Sequence, residues 1–200
     1  MKLVYRVTPR QRLIIVEHAL EQMQAFAQRR WWDSEAGGVL LGRHLLDSHD
    51  VVVDEVSTPQ NTDRRSRFSF FRSYKHEQLA RQRWLQEHNT SAYLGLWHTH
   101  PERDPTPSGV DRHDWQQAVA GDTYEGDRLF FPIVGTHCIR IWTLSRRGAF
   151  RELKLEDKNA QRESTDKSEL QADGSDEDGR ARPYPRAGTA RPLGGCGRPM

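Results

Sequence analysis

Cysteine is nearly absent from this chain: Cys138 and Cys196 are the only two in 200 residues. They stand far apart and make no disulfide framework, so the fold has to hold itself together without one, and a reducing cytoplasm is the expected setting. Long apolar runs are missing too. Nothing approaches the roughly 18 consecutive apolar residues of a membrane-spanning helix. The opening run from Met1 to Tyr5 is broken at Arg6, too early for the apolar part of a signal peptide. Charge of one sign is also lacking, with 30 Lys+Arg against 28 Asp+Glu. A balance so near neutral argues against nucleic acid or an anionic membrane as the main partner. Residues 156–200 contain no Ile, Val, Phe or Trp, while 10 of these 45 are Gly or Pro and 17 are charged. Such a stretch cannot bury enough apolar surface to offset the entropy of ordering it. The chain therefore reads as a globular body over 1–155 and a disordered tail over 156–200.

Within the body, Thr8-Pro9-Arg10-Gln11 has the look of a capped helix start with proline in the first turn. Leu13, Val16, Leu20, Met23 and Ala27 then recur at helical spacing, which predicts a helix from Thr8 to about Arg29 or Arg30. Gly38–Gly42 and Asp50–Val56 read as two strands of a hairpin turning through Asp47-Ser48-His49. Ser66–Phe71 alternates polar and aromatic residues and predicts a strand with one buried aromatic face. Tyr74–Glu87 predicts a second helix, with Leu79, Ala80, Trp84 and Leu85 available to the core. Ala92–Trp97 predicts a buried strand running into His98-Thr99-His100-Pro101. A proline-rich loop leads to a third helix capped by Ser108. Leu129–Val134 and His137–Leu144 complete a hairpin, and Phe150–Leu155 adds a last strand. Interleaved helices and strands without repeats give an α/β or α+β class with a mixed sheet.

Nine histidines occur, but only His98 and His100 stand as H-x-H. Two residues apart on a strand, their imidazoles aim at one point, which is how a zinc site begins. A catalytic zinc takes three protein ligands and leaves one position for water. Asp111, in the first turn of the helix that follows the loop, is the candidate third ligand. A carboxylate beside the site is needed to move protons, and Glu35, just before the glycine-rich strand, is the candidate base. Ser108 is the candidate donor to an oxyanion on a scissile carbonyl.

Glu35, His98-Thr99-His100-Pro101, six further residues, Ser108 and then Asp111 together resemble the JAMM motif of the JAB/MPN metalloproteases, and every motif position is occupied. The resemblance spans roughly residues 10–145. It implies a cytidine-deaminase-like α/β fold with a mixed sheet flanked by helices. It also implies one catalytic Zn2+ on His98, His100 and Asp111, with Glu35 as base and Ser108 on the oxyanion. The implied activity is hydrolysis of an isopeptide or peptide bond after a ubiquitin-like modifier. The runs Ser34–Gly42, Arg65–Phe70 and Tyr93–Glu102 are similar to the stand-alone JAB isopeptidases of bacterial CBASS anti-phage operons. That similarity implies a conjugated nucleotide cyclase or other ubiquitin-like conjugate as substrate, with operon-encoded E1/E2-like proteins as partners.

Other readings compete with this one. Ser108-x-x-Asp111 is also a capping box, and capping is compatible with ligation. His113, Asp114, His137 and Cys138 read as solvent-facing or structural. Arg64–Arg72 interleaves arginine and aromatics as a single-strand nucleic-acid surface does, although a half-buried strand predicts the same residues. Nucleobase deamination on the related fold needs an H-x-E and a P-C-x-x-C set, which two distant cysteines do not supply. A JAMM protease that frees the C-terminus of a sulfur-carrier protein, and an MPN-type scaffold without catalysis, stay open.

Overall fold

The computed structural model describes residues 2–156 apart from Asn89. The expected tail over 156–200, with Cys196, lies outside the described residues except for Glu156.

The chain opens with a hairpin, not a helix. β1 (Leu3–Thr8) turns through Pro9 and Arg10 into β2 (Gln11–Ile15), and only then does an eight-residue helix α1 (Glu17–Gln24) begin. The local signal at Thr8 misleads because tertiary pairing competes with it. β2 lies antiparallel to β1 and parallel to β4 (Val51–Val56), and Leu13 and Ile15 alternate into the core at zero exposure. Thr8 does cap, but locally: its hydroxyl accepts from the Arg10 N–H within the turn.

β3 (Gly37–His44) pairs antiparallel with β4, as the hairpin reading expected, and on its other side with β7 (Ala92–Thr99). The segment over 64–71 is not one strand but a separate two-stranded hairpin, β5 (Arg64–Ser66) and β6 (Ser69–Phe71). Of its aromatics, Phe70 turns inward against Gly37 and His76, whereas Phe68 and Phe71 are exposed. Helix α2 (Lys75–Gln86) buries His76 alone, so Leu79, Trp84 and Leu85 do not enter the core as expected. α3 (Gly109–Gly121), β8 (Arg128–Val134) and β9 (Ile139–Ser145) fall where the sequence places them. The last predicted strand splits into β10 (Phe150–Glu152) and β11 (Lys154–Leu155).

Nine strands form one mixed sheet in the order β10-β9-β8-β7-β3-β4-β2-β1-β11. Its two edge strands are consecutive in the chain, separated by Leu153 alone. The sheet therefore curls until its ends meet, and the Tyr5 hydroxyl donates across the seam to the Ile139 carbonyl. One core cluster gathers Leu13, Ile15, Leu20, Met23, Leu94 and Trp97 under α1. A second gathers Trp115, Val119, Phe131, Ile133 and Trp142 under α3.

β7 contributes to both clusters through a bulge. Leu40 pairs with Gly95 and Leu41 with Tyr93, leaving an extra residue on β7. Gly95 has φ +143°, and a Cβ there would lie 2.0 Å from the Phe130 carbonyl oxygen. Before the bulge, Ala92 and Leu94 face the α1 core; after it, Trp97 does, and Leu96 turns to the α3 side. One extra residue inverts the pleat. Unbroken alternation from Leu94 would have sent His98 toward α1.

Candidate metal centre

The inverted pleat brings His98 and His100 to the face that α3 covers. Their Nε2 atoms lie 3.0 Å apart. Asp111 meets both: its Oδ1 is 3.2 Å from His98 Nε2, and its Oδ2 is 3.5 Å from His100 Nε2. Four bonds of roughly 2.0–2.1 Å directed to a tetrahedron's corners set its edges at about 3.3 Å. The two imidazole nitrogens lie near that length from each other, and each has a different oxygen of Asp111 close to it, so the residues present fit a zinc ion once one carboxylate oxygen turns toward both. Soft thiolates are absent from the cleft, and two imidazoles with a carboxylate suit zinc among the common divalent metals.

Asp111 is aimed by its own helix. Ser108 is the N-cap of α3, its hydroxyl oxygen accepting from the Asp111 N–H at 3.2 Å, while the Asp111 carboxylate accepts from the Ser108 N–H at 2.6 Å. The capping box thus holds the Asp111 carboxylate in place beside the two imidazoles, so capping is compatible with ligation. As cap, the Ser108 oxygen only accepts, so the hydroxyl hydrogen remains free to donate outward. Trp115, one turn further along α3, stacks on Phe131 at 4.6 Å and lies 6.2 Å from the His98 ring.

Glu35 sits across the cleft, 8% exposed, with a carboxylate oxygen within 4.8 Å of a ring nitrogen of each histidine. It does not share the hydrogen bonds that tie Asp111 to the imidazoles. Of the two carboxylates, Asp111 is thus at ligand-edge distance, and Glu35 is set back as a base beside a bound metal would be.

The two carboxylates titrate apart. Burial, reinforced by repulsion from Asp111, pushes the Glu35 carboxyl above the usual carboxylate range despite the nearby histidines and Arg65. Burial also opposes ionisation of Asp111, but hydrogen bonds from His100, His98 and Ser108 outweigh it and hold this carboxyl far below that range. His100 is raised above the ordinary imidazole value: burial opposes its charge, and the Asp111 hydrogen bond and charge prevail. A proton there competes with a metal for the same nitrogen.

The cleft runs on from these residues as a space of about 460 Å³ between the β5–β6 hairpin and α3. Phe70, Phe71, Arg64 and Arg72 form one wall; Asp114, Trp115 and Asp122 form the other. Asp114 borders the cleft and is exposed to solvent, as its place three residues after Asp111 on the helix allows. Sequence reasoning passed over Gln28 and met Arg65 only as a member of the runs Arg65–Phe70 and Arg64–Arg72. Arg65 donates to the Glu35 and Ser34 carbonyls, and the buried Gln28 amide reaches Thr99. A glutamine with no periodic or motif partner carries no signal in a single sequence.

The five residues expected from the sequence thus come together: His98, His100 and Asp111 in mutual contact, Glu35 beside the histidines, and Ser108 tied to Asp111 by the capping box. The chain belongs to the family of prokaryotic homologs of the JAB domain, which matches residues 16–155. It is 38% identical over 102 residues to a protein of Pseudomonas aeruginosa named CD-NTase/cGAS isopeptidase, an alignment covering 50% of this chain and 63% of that protein. A protein of the same name from Vibrio cholerae is 32% identical over 111 residues, 55% of this chain and 70% of the other. A solution structure of a protein from Desulfitobacterium hafniense aligns with TM-score 0.48 and 23% identity, over 72% of this chain and 88% of that one.

Proposed function

We propose that this protein is a zinc-dependent isopeptidase of the JAMM type. Its substrate is a conjugate in which a nucleotide cyclase, or a comparable ubiquitin-like modifier, is joined through its C-terminus to a target amine in a bacterial anti-phage system. The observation that carries this reading is the convergence of His98, His100 and Asp111, whose ring nitrogens and carboxylate oxygens lie 3.0–3.5 Å apart, with Glu35 beside them in the same cleft. The names of the Pseudomonas and Vibrio relatives support the substrate class.

His98, His100 and Asp111 would hold a zinc ion, which would supply Lewis acidity toward the scissile carbonyl and toward a water near neutral pH. Glu35, its basicity raised by burial, takes that proton and returns it to the departing amine. Ser108 donates its free hydroxyl hydrogen to the oxygen on which negative charge develops. The Ser108 N–H of the capping box holds Asp111 as the carboxylate. The cleft of about 460 Å³ between the hairpin and α3 supports this reading as the place where the modifier's C-terminal tail would lie.

The test is cleavage of a purified cyclase–target conjugate from the same operon. Turnover that is abolished by a chelator, restored by zinc and lost in Glu35→Gln supports the reading. Cleavage that persists in the chelated protein overturns it.

A further inference from the structure

We propose that Gln28 is a positioning residue that sets Glu35 against the two histidines. This rests on the reading of Glu35 as the base. Gln28 lies on the segment after α1, and its side chain is 2% exposed. Its Oε1 accepts from the Thr99 hydroxyl at 2.9 Å, and its Nε2 donates to the carbonyls of Arg67 at 2.8 Å and Asp33 at 3.2 Å. The orientation of this amide is dictated by its neighbours. The Ala36 N–H donates to Thr99 Oγ1 at 3.0 Å, so that hydroxyl directs its one hydrogen at Gln28. Gln28 must then present oxygen to Thr99 and its N–H groups to the two carbonyls.

Thr99 stands between His98 and His100, on the opposite face of β7 from their imidazoles. It grips Ala36 twice, since the Thr99 N–H also donates to the Ala36 carbonyl at 2.8 Å. Ala36 directly follows Glu35. On the other side, the Glu35 N–H donates to the Ser66 carbonyl at 2.7 Å, and its own carbonyl accepts from Arg65 Nε at 2.7 Å. These bonds close a ring that runs from Glu35 through the β5–β6 hairpin to Arg67, through Gln28 to Thr99, and through Ala36 back to Glu35. Gln28 is the only side chain in the ring that bonds both the hairpin and β7. Without its amide, Glu35 keeps its neighbours, but the two supports are free to shift against each other. A base a short distance out of line transfers protons slowly while the cleft still admits substrate.

The test uses the full zinc-loaded chain with Gln28→Met, which keeps the volume and removes the donors and the acceptor. Zinc stoichiometry stays at the wild-type value, kcat falls roughly 10- to 100-fold, and KM moves less than about threefold. Thr99→Val reproduces the loss, Thr99→Ser recovers most of it, and the Gln28→Met/Thr99→Val pair is no worse than either alone. Thr99→Val is also the second variant should Gln28→Met fail to fold. A second readout needs neither metal nor substrate: amide exchange over 33–37 and 66–68 accelerates at least about tenfold in Gln28→Met, since those N–H groups border the broken ring. Unchanged exchange there, or a kcat within twofold of wild type, overturns the proposal. If the wild type cleaves no conjugate and exchange still responds, the isopeptidase reading fails and the positioning role of Gln28 stands.

Discussion

A carboxylate held away from water is a stronger base than one in it, and it loses its charge sooner as pH falls. Glu35 is such a group, its pKa raised first by burial and then by Asp111. Because the base must be ionised to work, the acid limb of kcat/KM is expected above the usual carboxylate range, with activity rising as pH climbs through it. Measuring kcat/KM against pH checks this, and an acid limb at the value of a solvated glutamate contradicts it. Glu35→Gln should lower kcat by roughly 10²- to 10⁴-fold with zinc still bound. Asp63 shows the opposite case, far from the chemistry. Burial opposes its ionisation, yet N–H groups of Gln60 and Ser73 and the Nε2 of His76 lower its pKa from 3.8 to about 2. Its stabilising contribution is present above the unfolded value and lost as pH falls through the folded one. From about pH 5 to about pH 2 the wild type should lose about 2 kcal/mol relative to Asp63→Asn. Urea unfolding of both proteins across that window measures the difference, and parallel pH curves sink the assignment.

At the level of elements, α3 and β7 each carry a site residue by a local device. Ser108→Ala removes the cap and the proposed oxyanion donor together, whereas Ser108→Gly keeps most of the capping and removes only the hydroxyl. The alanine variant should be about 1 kcal/mol less stable than the glycine variant, with kcat reduced in both. Thermal unfolding alongside kcat separates the two effects, and a fully active Ser108→Gly excludes the oxyanion role. Gly95→Ala tests the bulge. Both the φ of +143° and the 2.0 Å approach to the Phe130 carbonyl forbid a Cβ, so this change should cost at least about 2 kcal/mol and weaken zinc binding with it. Equal zinc affinity in Gly95→Ala would falsify the claim that the bulge aims the histidines. These two elements also mark what a single sequence reveals. The H-x-H pair and Ser108-x-x-Asp111 are legible because strand and helix spacing bring their side chains together locally. The side of the sheet that His98 faces is not, since it depends on Gly95 opposing Leu40 on another strand. The helix expected at Thr8 misleads for the same reason: β1 and β4 decide the state of Gln11–Ile15, and neither partner shows in that segment's own pattern.

For the whole molecule, the curled sheet decides where the chain can be cut. Leu153 joins the two edges: it is 4% exposed within the α1 core, and its N–H donates to the Ile141 carbonyl. Immediately after it, Leu155 and Lys154 pair with Tyr5 and Arg6, and the Glu156 N–H donates to the Val4 carbonyl. The backbone pairing that ties the chain to β1 thus reaches Glu156, the last of the described residues. Every proposed site residue lies between Glu35 and Asp111, on strands in the middle of the sheet or on the loops and helix beside them. A chain ending at Glu156 should bind zinc and turn over conjugate within about threefold of the full chain. One ending at Glu152 loses both the pairing to β1 and the buried leucine, whose side chain alone is worth about 1.5–3 kcal/mol. It should unfold at least several degrees lower, by calorimetry, and with it the strand that carries the histidines loses its frame. Equal unfolding temperatures for the two truncations would mean that the seam between β10 and β11 does not hold the sheet closed.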